Sequence, residues 1–447
     1  MDRLENTALV ERNEPQTGTP KPSITLIEAI ALIVGLVIGA GIFETPALVA
    51  ANTGTVGGVI GIWLMGGVVS LLGALCYAEL ATTYPHVGGN YYYLKRAFGQ
   101  PIAVLFAWAR MTVIQTGSIA LLAFVFGDYA SELFRLGGYS PAIYAAVAIA
   151  LLTMLNIIGL RQSKGLQNWL AVILVLGLLL VIVVGLASSP PPVGPLPFDA
   201  SPTSSWGLAL VFVLLSYGGW NEAAYISAEI HHPQRNILRS FLWSIGIITA
   251  LYLLINLAYL RGLGIAGMAD SQAVASDLLR RVLGEPGATF VSLLVVTATL
   301  GSINGSIFTG ARSSFALGQD RSAFRWLGRW HPHPSSPTTA YLLQGAIALT
   351  LIGLGTFTRK GFETMVDYTA PIFWFFFLIS TLSLIVLRIR EPDQLRPFSV
   401  PLYPIVPIMF CAICGYLLYS SLVYTGIGAI VGVIVVLLGI PFARHTT

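Results

Sequence analysis

The chain has 447 residues, of which 55% are hydrophobic and only 10% are charged, with a formal net charge of +4. Soluble domains usually have about 25% charged residues, so this composition excludes an ordinary soluble protein and indicates many membrane spans. The six histidines fall in predicted loops or the C-terminal tail. Because no pair of catalytic groups lies at one depth, enzymatic activity is not expected. Nothing indicates nucleic-acid binding or an organic cofactor.

The first 23 residues are polar and contain three prolines. They lack the apolar core of a signal peptide, so they are expected to form a cytoplasmic tail. The three cysteines, Cys76, Cys411 and Cys414, fall within apolar segments. They are expected to be small packing residues rather than disulfide partners or metal ligands.

Apolar stretches of about twenty residues, long enough to cross a bilayer core of roughly 30 Å, recur twelve times along the chain. They lie near residues 24–51, 57–82, 101–127, 140–160, 166–187, 206–229, 238–262, 288–315, 338–357, 363–388, 401–421 and 426–443. An even number of spans puts both termini on one side of the membrane. With the N-terminus inside, 17 Lys and Arg residues fall in cytoplasmic segments and 6 in external ones. This bias predicts cytoplasmic termini in the cell membrane.

Two of these spans contain an interruption. The first span carries V-I-G-A-G-I-F-E-T-P at 37–46, and the sixth carries S-Y-G-G-W-N at 216–221. Glycine raises the entropic cost of a helix, so each segment predicts a helix that opens inside the membrane. Unpaired backbone is tolerated there only where it faces protein, water or a ligand. Two broken helices in corresponding positions therefore indicate the binding site of a transporter.

The positions of the interruptions also predict the architecture. Helices 1–5 and 6–10 each begin with a broken helix, and because five is odd, the second set enters the membrane from the opposite face. The sequence thus predicts an all-α membrane fold of 12 helices with a five-plus-five inverted repeat and two peripheral helices. The predicted units are a tail at 1–23, a first repeat at 24–187, an external Pro-rich linker at 188–205, a second repeat at 206–389, and peripheral helices with a short tail at 390–447.

The first interruption has the chemistry of a zwitterion site. The N–H groups of Ala40 and Gly41 begin the outer half-helix, where the partial positive charge favours a carboxylate. The carbonyls of Val37 and Ile38 end the inner half-helix and would accept from an ammonium group. Close helix packing is the alternative, because small residues four positions apart also let helices touch.

The second interruption favours a binding site over packing. Its Gly218-Gly219 pair places flexible backbone beside Tyr217, Trp220 and Asn221. Two aromatic rings and an amide are more than a packing face requires. Taken with the first break, this composition predicts a site between the two.

Three charged residues lie within predicted spans: Glu44, Arg110 and Glu222. Such residues are costly in hydrocarbon and usually face a cavity or one another. For Arg110 and Glu222 the sequence leaves two interpretations open, a role in coupling through a proton-linked carboxylate, or a static ion pair. Glu44 is a candidate for the outer vestibule.

At the two interruptions the chain resembles the amino acid, polyamine and organocation (APC) superfamily, and within it the L-type amino acid transporter branch. The matching segments are V-I-G-A-G-I-F-E-T-P at 37–46, Y-A-E-L-A-T-T-Y-P-H-V-G-G-N-Y-Y-Y-L at 77–94, S-Y-G-G-W-N at 216–221, G-S-I-N-G-S-I-F-T-G-A-R at 301–312 and R-P-F-S-V-P-L at 396–402. They occur in the order that the family has them.

The resemblance implies amino acid transport by alternating access in a five-plus-five inverted-repeat fold. It implies that the substrate carboxylate meets the first break and that the amino group meets carbonyls of both breaks. The residues concerned are Gly39, Ala40 and Gly41 for the carboxylate, and Val37, Ile38, Leu215, Ser216 and Gly218 for the amino group. Family members commonly have an aromatic gate just before the second break, where this chain has Leu215.

A second departure from the family concerns coupling. Many sodium-independent relatives place a Lys in helix 5 that stands in for a sodium ion. Leu174 occupies that position here, and the predicted helix 5 contains no Lys or Arg. Helices 1 and 8 are then expected to be held together by sodium near hydroxyls such as Ser302 or Ser306, by no ion, or by Arg110. Sodium and proton coupling both stay open.

Partners follow from the same resemblance. Heteromeric animal relatives bond an accessory subunit through a Cys in the external loop between helices 3 and 4. The corresponding loop, 128–139, has no Cys. No disulfide-linked accessory subunit is expected, and the expected partners are an amino acid substrate and the lipid bilayer.

The leading hypothesis is a secondary transporter for neutral amino acids that works as an exchanger or an ion-coupled symporter. One alternative is a carrier of polyamines or cationic amino acids, which would use Glu222 or Glu44 to pair with a second amine. Another is a non-transporting amino acid sensor, which the short termini disfavour.

Overall fold

A computed structural model describes residues 22–189, 206–271, 273–331, 336–358, 361–425 and 427–444. Every regular element in these ranges is a helix, accompanied by two isolated β-bridges. The all-helical class predicted from the sequence is therefore confirmed. Most of the predicted tail (1–21) and of the predicted linker (190–205) lies outside the described residues.

The first half of the chain forms eight α-helices. They are α1 (Leu26–Val37), α2 (Gly41–Thr53), α3 (Val56–Thr83), α4 (Asn90–Phe98), α5 (Gln100–Ala109), α6 (Gln115–Leu133), α7 (Ser140–Ile158) and α8 (Leu160–Ala187). A π-helical stretch, Arg110–Ile114, joins α5 to α6 into one long span. The predicted start of the fifth helix was wrong, because α8 begins six residues earlier and includes Lys164.

The second half begins with the second interrupted segment. Its elements are α9 (Trp206–Ser216), a 3-10 helix (Trp220–Glu229), α10 (Pro233–Ala269), α11 (Val274–Leu283), α12 (Glu285–Asp320), a short 3-10 turn (Ser322–Phe324), α13 (Thr338–Thr358), α14 (Gly361–Arg390), α15 (Ile405–Thr425), α16 (Ile427–Leu437) and α17 (Ile440–Arg444). The long helix α10 is kinked at Gly264, whose φ is 70°.

Within the described ranges, nine helical segments are long and apolar enough to cross a membrane, and the bent pair α1 and α2 would make a tenth. The predicted sixth and twelfth spans are divided into shorter pieces, so neither forms one long apolar helix. A multi-pass membrane protein follows from these lengths. The count of twelve spans stays a prediction.

Burial separates the central helices from the peripheral ones. In the most apolar part of α5–α6 and of α12, 72% of the residues are buried, against 33% in α7. Because a helix that is apolar on all sides turns its unburied faces to lipid, α7 lies at the edge of the bundle. The two central spans, α5–α6 and α12, are thus positioned to contact the interrupted helices.

Ordinary local signals set the outer limits of α1 and α2. Thr25 begins α1 with a capping box, in which its hydroxyl accepts from the N–H of Glu28 at 3.3 Å. At the far end, Gly54 closes α2 with φ 64°, a left-handed conformation that glycine adopts readily. The gap between the two helices lacks such caps and therefore needs partners from elsewhere.

The start of α1 is bonded to the end of the 3-10 helix. The N–H groups of Ser23 and Ile24 both donate to the carbonyl of Glu229 at 2.8 Å, and the N–H of His231 donates to the carbonyl of Ile24 at 2.9 Å. Only backbone atoms take part in this parallel bridge. It holds the inner ends of the two interrupted segments side by side.

Candidate functional site

The first interruption lies between α1 and α2, whose axes differ by 50°. The N–H of Gly39 turns back to the carbonyl of Val37 at 2.8 Å, which ends the regular helix. Among the described residues, the N–H groups of Ala40, Gly41 and Ile42 donate to no acceptor. Three adjacent free donors at a helix N-terminus form a site suited to an anion.

The carbonyls at this break have lost their helical donors and find others. Gly35 accepts from the Ser302 hydroxyl of α12 at 2.9 Å. Val37 accepts from the Tyr252 hydroxyl of α10 at 3.1 Å. Buried carbonyls are nearly always bonded, so these two side chains satisfy backbone that the break exposes.

The second interruption follows α9. After Ser216 the chain makes a turn in which the N–H of Gly218 donates to the carbonyl of Leu215 at 3.1 Å. Gly219 then takes φ 112°, a conformation that residues with a side chain rarely adopt, and the 3-10 helix begins at Trp220. The backbone opens at the predicted position, and the carbonyl of Ser216 is left to accept from Tyr252 at 3.0 Å.

The two interruptions touch each other. The hydroxyls of Thr45 and Ser216 lie 2.8 Å apart. A Cβ added at Gly41 would lie 2.8 Å from the Cα of Ser216, and one added at Gly219 would lie 3.2 Å from the carbonyl oxygen of Leu36. Glycine at both positions is therefore required by close backbone approach, so the packing explanation accounts for part of the motif.

Tyr252 connects the two breaks and was not predicted from the sequence. Its hydroxyl faces the carbonyls of both Val37 and Ser216. A phenol has one hydrogen to donate, so it can satisfy only one of these carbonyls fully at a time. Its ring is fixed by edge-on contacts with Trp63 at 5.2 Å and Tyr217 at 5.0 Å. No local pattern in α10 marks this tyrosine.

Arg110 and Glu222 form a buried ion pair, which settles that the two meet. The guanidinium donates to both carboxylate oxygens, at 2.6 and 3.1 Å, and the side chains are 3% and 9% exposed. The carboxylate also accepts from Thr309 of α12, and the guanidinium lies 3.8 Å from the centre of the Tyr225 ring. The π-helical turn that begins at Arg110 is a feature often found at functional sites.

The remaining predicted site residues are distributed around the second break. Tyr217 donates to the carbonyl of Trp63 at 3.1 Å, and Trp220 packs edge-on against Tyr77 at 5.3 Å. The Asn221 amide lies 3.4 Å from the Glu222 carboxylate. The side chain of Leu215 is 46% exposed, unlike its buried neighbours.

Glu44 lies on α2, away from the ion pair. Its carboxylate accepts from the hydroxyl of Tyr129 on α6 at 2.8 Å. No basic side chain among the described residues lies within ion-pair distance of it. Its place three residues beyond Gly41 is compatible with the predicted vestibule role, which stays a prediction.

The candidates for coupling occupy different environments. Leu174 is buried in an apolar cluster. Ser302 donates directly to helix α1, whereas Ser306 uses its backbone carbonyl to accept from Gln115 at 2.7 Å. The α8 side chain that lies against α1 is Gln167, whose amide nitrogen would be 2.4 Å from a Cβ at Gly35.

Ion pairs join distant segments at one end of the bundle, which we call the α4 end. They connect Lys95 with Asp320, Arg96 with Glu391, Lys164 with Glu28, Arg312 with Glu229, and Arg388 with Glu79. At the opposite end, among the described residues, the ion pairs of Arg280 are local, with Asp277 and Glu285. Among the described residues, ion pairs between segments distant in sequence are therefore more numerous at the α4 end than at the opposite end.

Two titratable groups outside the spans carry shifted pKa values at this end. Burial opposes ionisation of Glu391, but hydrogen bonds from Tyr84 and Arg96 outweigh it and lower the pKa of the carboxyl. Burial lowers the pKa of His86, whose Nδ1 accepts from the N–H of Gly88 at 2.9 Å. The lowered pKa of Glu391 favours the ionised carboxylate, which accepts from Tyr84 and Arg96. The lowered pKa of His86 favours the neutral ring, whose Nδ1 can accept from Gly88.

Comparison with known proteins gives a consistent result. The amino acid permease family profile matches residues 24–440. The chain is 33% identical over 438 residues to "b(0,+)-type amino acid transporter 1" of Rattus norvegicus, covering 94% of this chain and 87% of that one. It is 31% identical to "Large neutral amino acids transporter small subunit 2" of Mus musculus, with 94% and 80% covered. It is 29% identical to "Cystine/glutamate transporter" of Homo sapiens, with 94% and 84% covered.

Proposed function

Because this chain belongs to the amino acid permease family and is an amino acid transporter rather than an enzyme, we propose that it carries neutral amino acids by alternating access. The proposed binding site is the gap between the two interrupted helices. The substrate is bound mainly through its α-carboxylate and α-amino groups. The named relatives differ in the amino acids that they carry, so the side chain is the variable part.

The observation that carries this proposal is a set of free N–H groups at the first break beside two carbonyls that share one hydroxyl donor, of which Val37 also accepts from the N–H of Gly39 at 2.8 Å. The N–H groups of Ala40, Gly41 and Ile42 have no acceptor among the described residues, and they suit a carboxylate at a helix N-terminus. The carbonyls of Val37 and Ser216 share the single proton of Tyr252. An ammonium group has three hydrogens and can satisfy both carbonyls, so a zwitterion completes what the protein leaves unpaired.

Charge balance supports a neutral substrate. Arg110 and Glu222 neutralise each other beside the second break. A substrate with a charged side chain would need an unpaired opposite charge in the site. Burying a lone ion would otherwise cost roughly several kcal/mol of desolvation free energy. Of the three charged residues that the sequence placed within spans, Glu44 alone lacks an oppositely charged partner among the described residues, and it lies on α2 beyond the first break.

One observation favours the cationic alternative. Glu44 follows the first break by three residues, and its partner among the described residues is the hydroxyl of Tyr129. A carboxylate without a basic partner can receive a second amine. The relative named b(0,+)-type shows that the family's amino acid transporters are diverse, so arginine, ornithine and putrescine belong in the substrate screen.

The finer architecture and the topology are part of the proposal. The interrupted segments that begin each half support twelve spans arranged as an inverted repeat, with boundaries at 24–187 and 206–389. The distribution of 17 and 6 basic residues supports cytoplasmic termini in the cell membrane. The α4 end is then the cytoplasmic end, and its ion pairs form the closed cytoplasmic gate.

We further propose exchange without a coupling ion or a disulfide-linked partner. The hydroxyl of Ser302, which was expected near a sodium ion, donates instead to the Gly35 carbonyl of α1. The three cysteines lie within α3 and α15, away from the 128–139 loop. Both features are compatible with a single chain working alone.

The test is uptake of labelled leucine and alanine into proteoliposomes. Uptake is compared with and without unlabelled amino acid inside, with and without sodium, and with and without a proton gradient. Exchange predicts uptake that depends on internal amino acid and is indifferent to sodium and pH gradient. Stimulation by sodium or by protons would replace exchange with symport, and no uptake of any amino acid or amine would overturn the proposal.

A further inference from the structure

A polar relay crosses α7, α8 and α12 beside the first break. Asn156 donates through its amide nitrogen to the carbonyl of Leu152 at 2.8 Å and to the side-chain oxygen of Asn304 at 3.0 Å. Ser163 donates to the side-chain oxygen of Asn156 at 2.8 Å. Asn304 donates in turn to the side-chain oxygen of Gln167 at 2.9 Å.

The relay fixes which way the Gln167 amide points. The backbone carbonyl of Leu152 accepts only, so Asn156 must present its nitrogen on that side, and each following amide is oriented by the one before it. The oxygen of Gln167 therefore faces Asn304, and its nitrogen faces away from the relay. The orientation follows from the bonding pattern rather than from an arbitrary choice of oxygen and nitrogen.

That nitrogen is aimed at α1. Gln167 is 2% exposed, and its amide nitrogen has no hydrogen-bond partner among the described residues. It would lie 2.4 Å from a Cβ added at Gly35, so only glycine lets it approach the helix this closely. A buried, unbonded amide donor costs about 1–3 kcal/mol, which calls for a partner at some point in the working cycle.

The Gly35 carbonyl is an acceptor close to this nitrogen, because a Cβ added at Gly301 would lie 3.7 Å from the carbonyl oxygen and 4.0 Å from the nitrogen. The Gly35 carbonyl accepts from Ser302 at 2.9 Å, and Ser302 lies near the Leu36 carbonyl at 3.4 Å as well. Two donors on two different helices thus converge on one short stretch of α1, with Ser302 bonded and Gln167 unbonded. A carbonyl oxygen has two lone pairs and can accept from either donor or from both, so the Ser302 bond alone does not exclude a bond from Gln167.

A small gap lies beside α1 at this point. A small cavity separates the inner part of α1 from α8 and α12, lined by Glu28 and Leu32 on one side and by Lys164, Gln167 and Asn304 on the other. The interface of α1 with α8 and α12 is therefore not fully close-packed beside Gln167.

We propose that Ser302 and Gln167 are alternative donors to the carbonyls of α1 around Gly35, one for each of two positions of that helix. Gln167 is thus an uncharged positioning residue for the conformational change. The inference rests on the proposed function, since it assigns a role in the transport cycle of the same site. The group that contacts helix 1 from helix 5 is then an uncharged amide, where the sequence had suggested sodium, no ion or Arg110.

The experiment measures exchange of radiolabelled leucine and alanine in proteoliposomes made with the full chain. Gln167→Met keeps the length of the side chain and removes the donor. Its exchange rate is expected to fall about fivefold, the equivalent of one ordinary buried hydrogen bond. Its KM is expected to stay within about twofold, because one bond outside the substrate contacts changes the rate more than the binding.

Gln167→Glu separates a positioning role from a packing role. A protonated carboxyl can donate to α1, and an ionised one cannot. Exchange by this variant is expected to approach the parent rate at acidic pH and to decline as pH rises. The neighbouring Asn168 lines the same cavity, so Asn168→Met and Asn168→Asp are the matched controls and are expected to follow the parent in rate and pH profile.

Two results would overturn the inference: a Gln167→Met variant that exchanges at the parent rate, or a Gln167→Glu variant with the parent pH profile. If Gln167→Met does not fold, the pH profile of Gln167→Glu decides alone, because its acidic form keeps the donor. Failure of the proposed function would give a different result, because the parent protein itself would then exchange no amino acid.

Discussion

The guanidinium of Arg110 and the carboxylate of Glu222 meet through two hydrogen bonds, 2.6 and 3.1 Å long, in a setting where neither side chain is more than 9% exposed. The pair joins the span α5–α6 to the 3-10 helix that follows the second break. It therefore fixes how that broken helix sits against the central span.

Removing one member of this pair is expected to destabilise the protein strongly. Glu222→Gln leaves the Arg110 charge buried and uncompensated, and we expect a loss of about 3–5 kcal/mol, measured as a lower melting temperature of the purified protein. The double variant Arg110→Met with Glu222→Leu is the control and is expected to lose far less, because no charge remains. A Glu222→Gln variant as stable as the parent would contradict the role of the pair.

The double variant also separates the two interpretations left by the sequence. If the pair is static, a folded double variant transports with the pH dependence of the parent. If Glu222 carries a proton in the cycle, the double variant loses whatever pH dependence the parent has. The measurement is initial uptake at a series of pH values in the proteoliposome assay.

Gly41→Val is expected to abolish substrate binding. A Cβ at this position would lie 2.8 Å from the Cα of Ser216 and 2.7 Å from its hydroxyl, so the two breaks would be forced apart. Binding of labelled leucine by the purified variant is expected to weaken more than tenfold. In contrast, a Cβ at Gly246 on α10 meets no atom within 4 Å, so Gly246→Ala is expected to bind as the parent does. Normal binding by Gly41→Val would rule out the first break as the site.

Tyr252→Phe tests the link between the breaks. Without the hydroxyl, the carbonyls of Val37 and Ser216 lose their shared donor. The substrate-free protein is expected to lose about 1 kcal/mol of stability. Because a substrate amine replaces the missing donor, we expect added leucine to raise the melting temperature more in this variant than in the parent.

Tyr259→Phe is the matched control, since Tyr259 lies on the same helix and its buried hydroxyl has no partner among the described residues. This control should keep the parent's response to leucine. An equal response in Tyr252→Phe would mean that the hydroxyl does not occupy the place of the substrate amine.

Stability at the α4 end is expected to depend on His86 in mildly acidic solution. Burial lowers the pKa of His86 below the ordinary value of 6.5, so the folded state favours the neutral ring. The unfolded chain binds more protons between the two pKa values, and stability therefore rises with pH across that window. The stabilisation is complete above 6.5 and is lost as pH falls towards the folded-state pKa.

The measurement is the melting temperature at pH values on either side of that window. His86→Gln is expected to flatten the dependence, because the titrating group is gone. His231 is exposed, so His231→Gln is expected to leave it unchanged. A parent protein whose melting temperature does not change across the window would remove His86 as the cause.

Local backbone chemistry explains which parts of the site could be predicted. Gly39, Gly41 and Gly219 reveal where the helices open, because glycine tolerates conformations and approaches that other residues do not. The apolar runs likewise predicted most of the spans. Both signals are contained in a few consecutive residues.

The partners that complete the breaks could not be predicted in this way. Ser302 was predicted only through the family resemblance, and Tyr252 and Gln167 were not predicted at all. All three lie far from the breaks in sequence, and their contacts depend on how each helix is rotated in the bundle. The helix-5 position considered from the family pattern, Leu174, is buried in an apolar cluster, whereas Gln167, two turns earlier on α8, lies against α1. Gln167 contacts α1 because of how α8 packs against it, and this packing cannot be deduced from the sequence of α8 alone.

The backbone bonds from Ser23 and Ile24 to Glu229 join the start of α1 to the end of the 3-10 helix, so the two segments are linked directly. Since only backbone atoms form this link, a side-chain substitution removes none of its bonds, whereas proline at position 23, 24 or 231 would delete one of the three N–H donors. A displacement of the start of α1 relative to the end of the 3-10 helix must therefore break these bonds or carry both segments together.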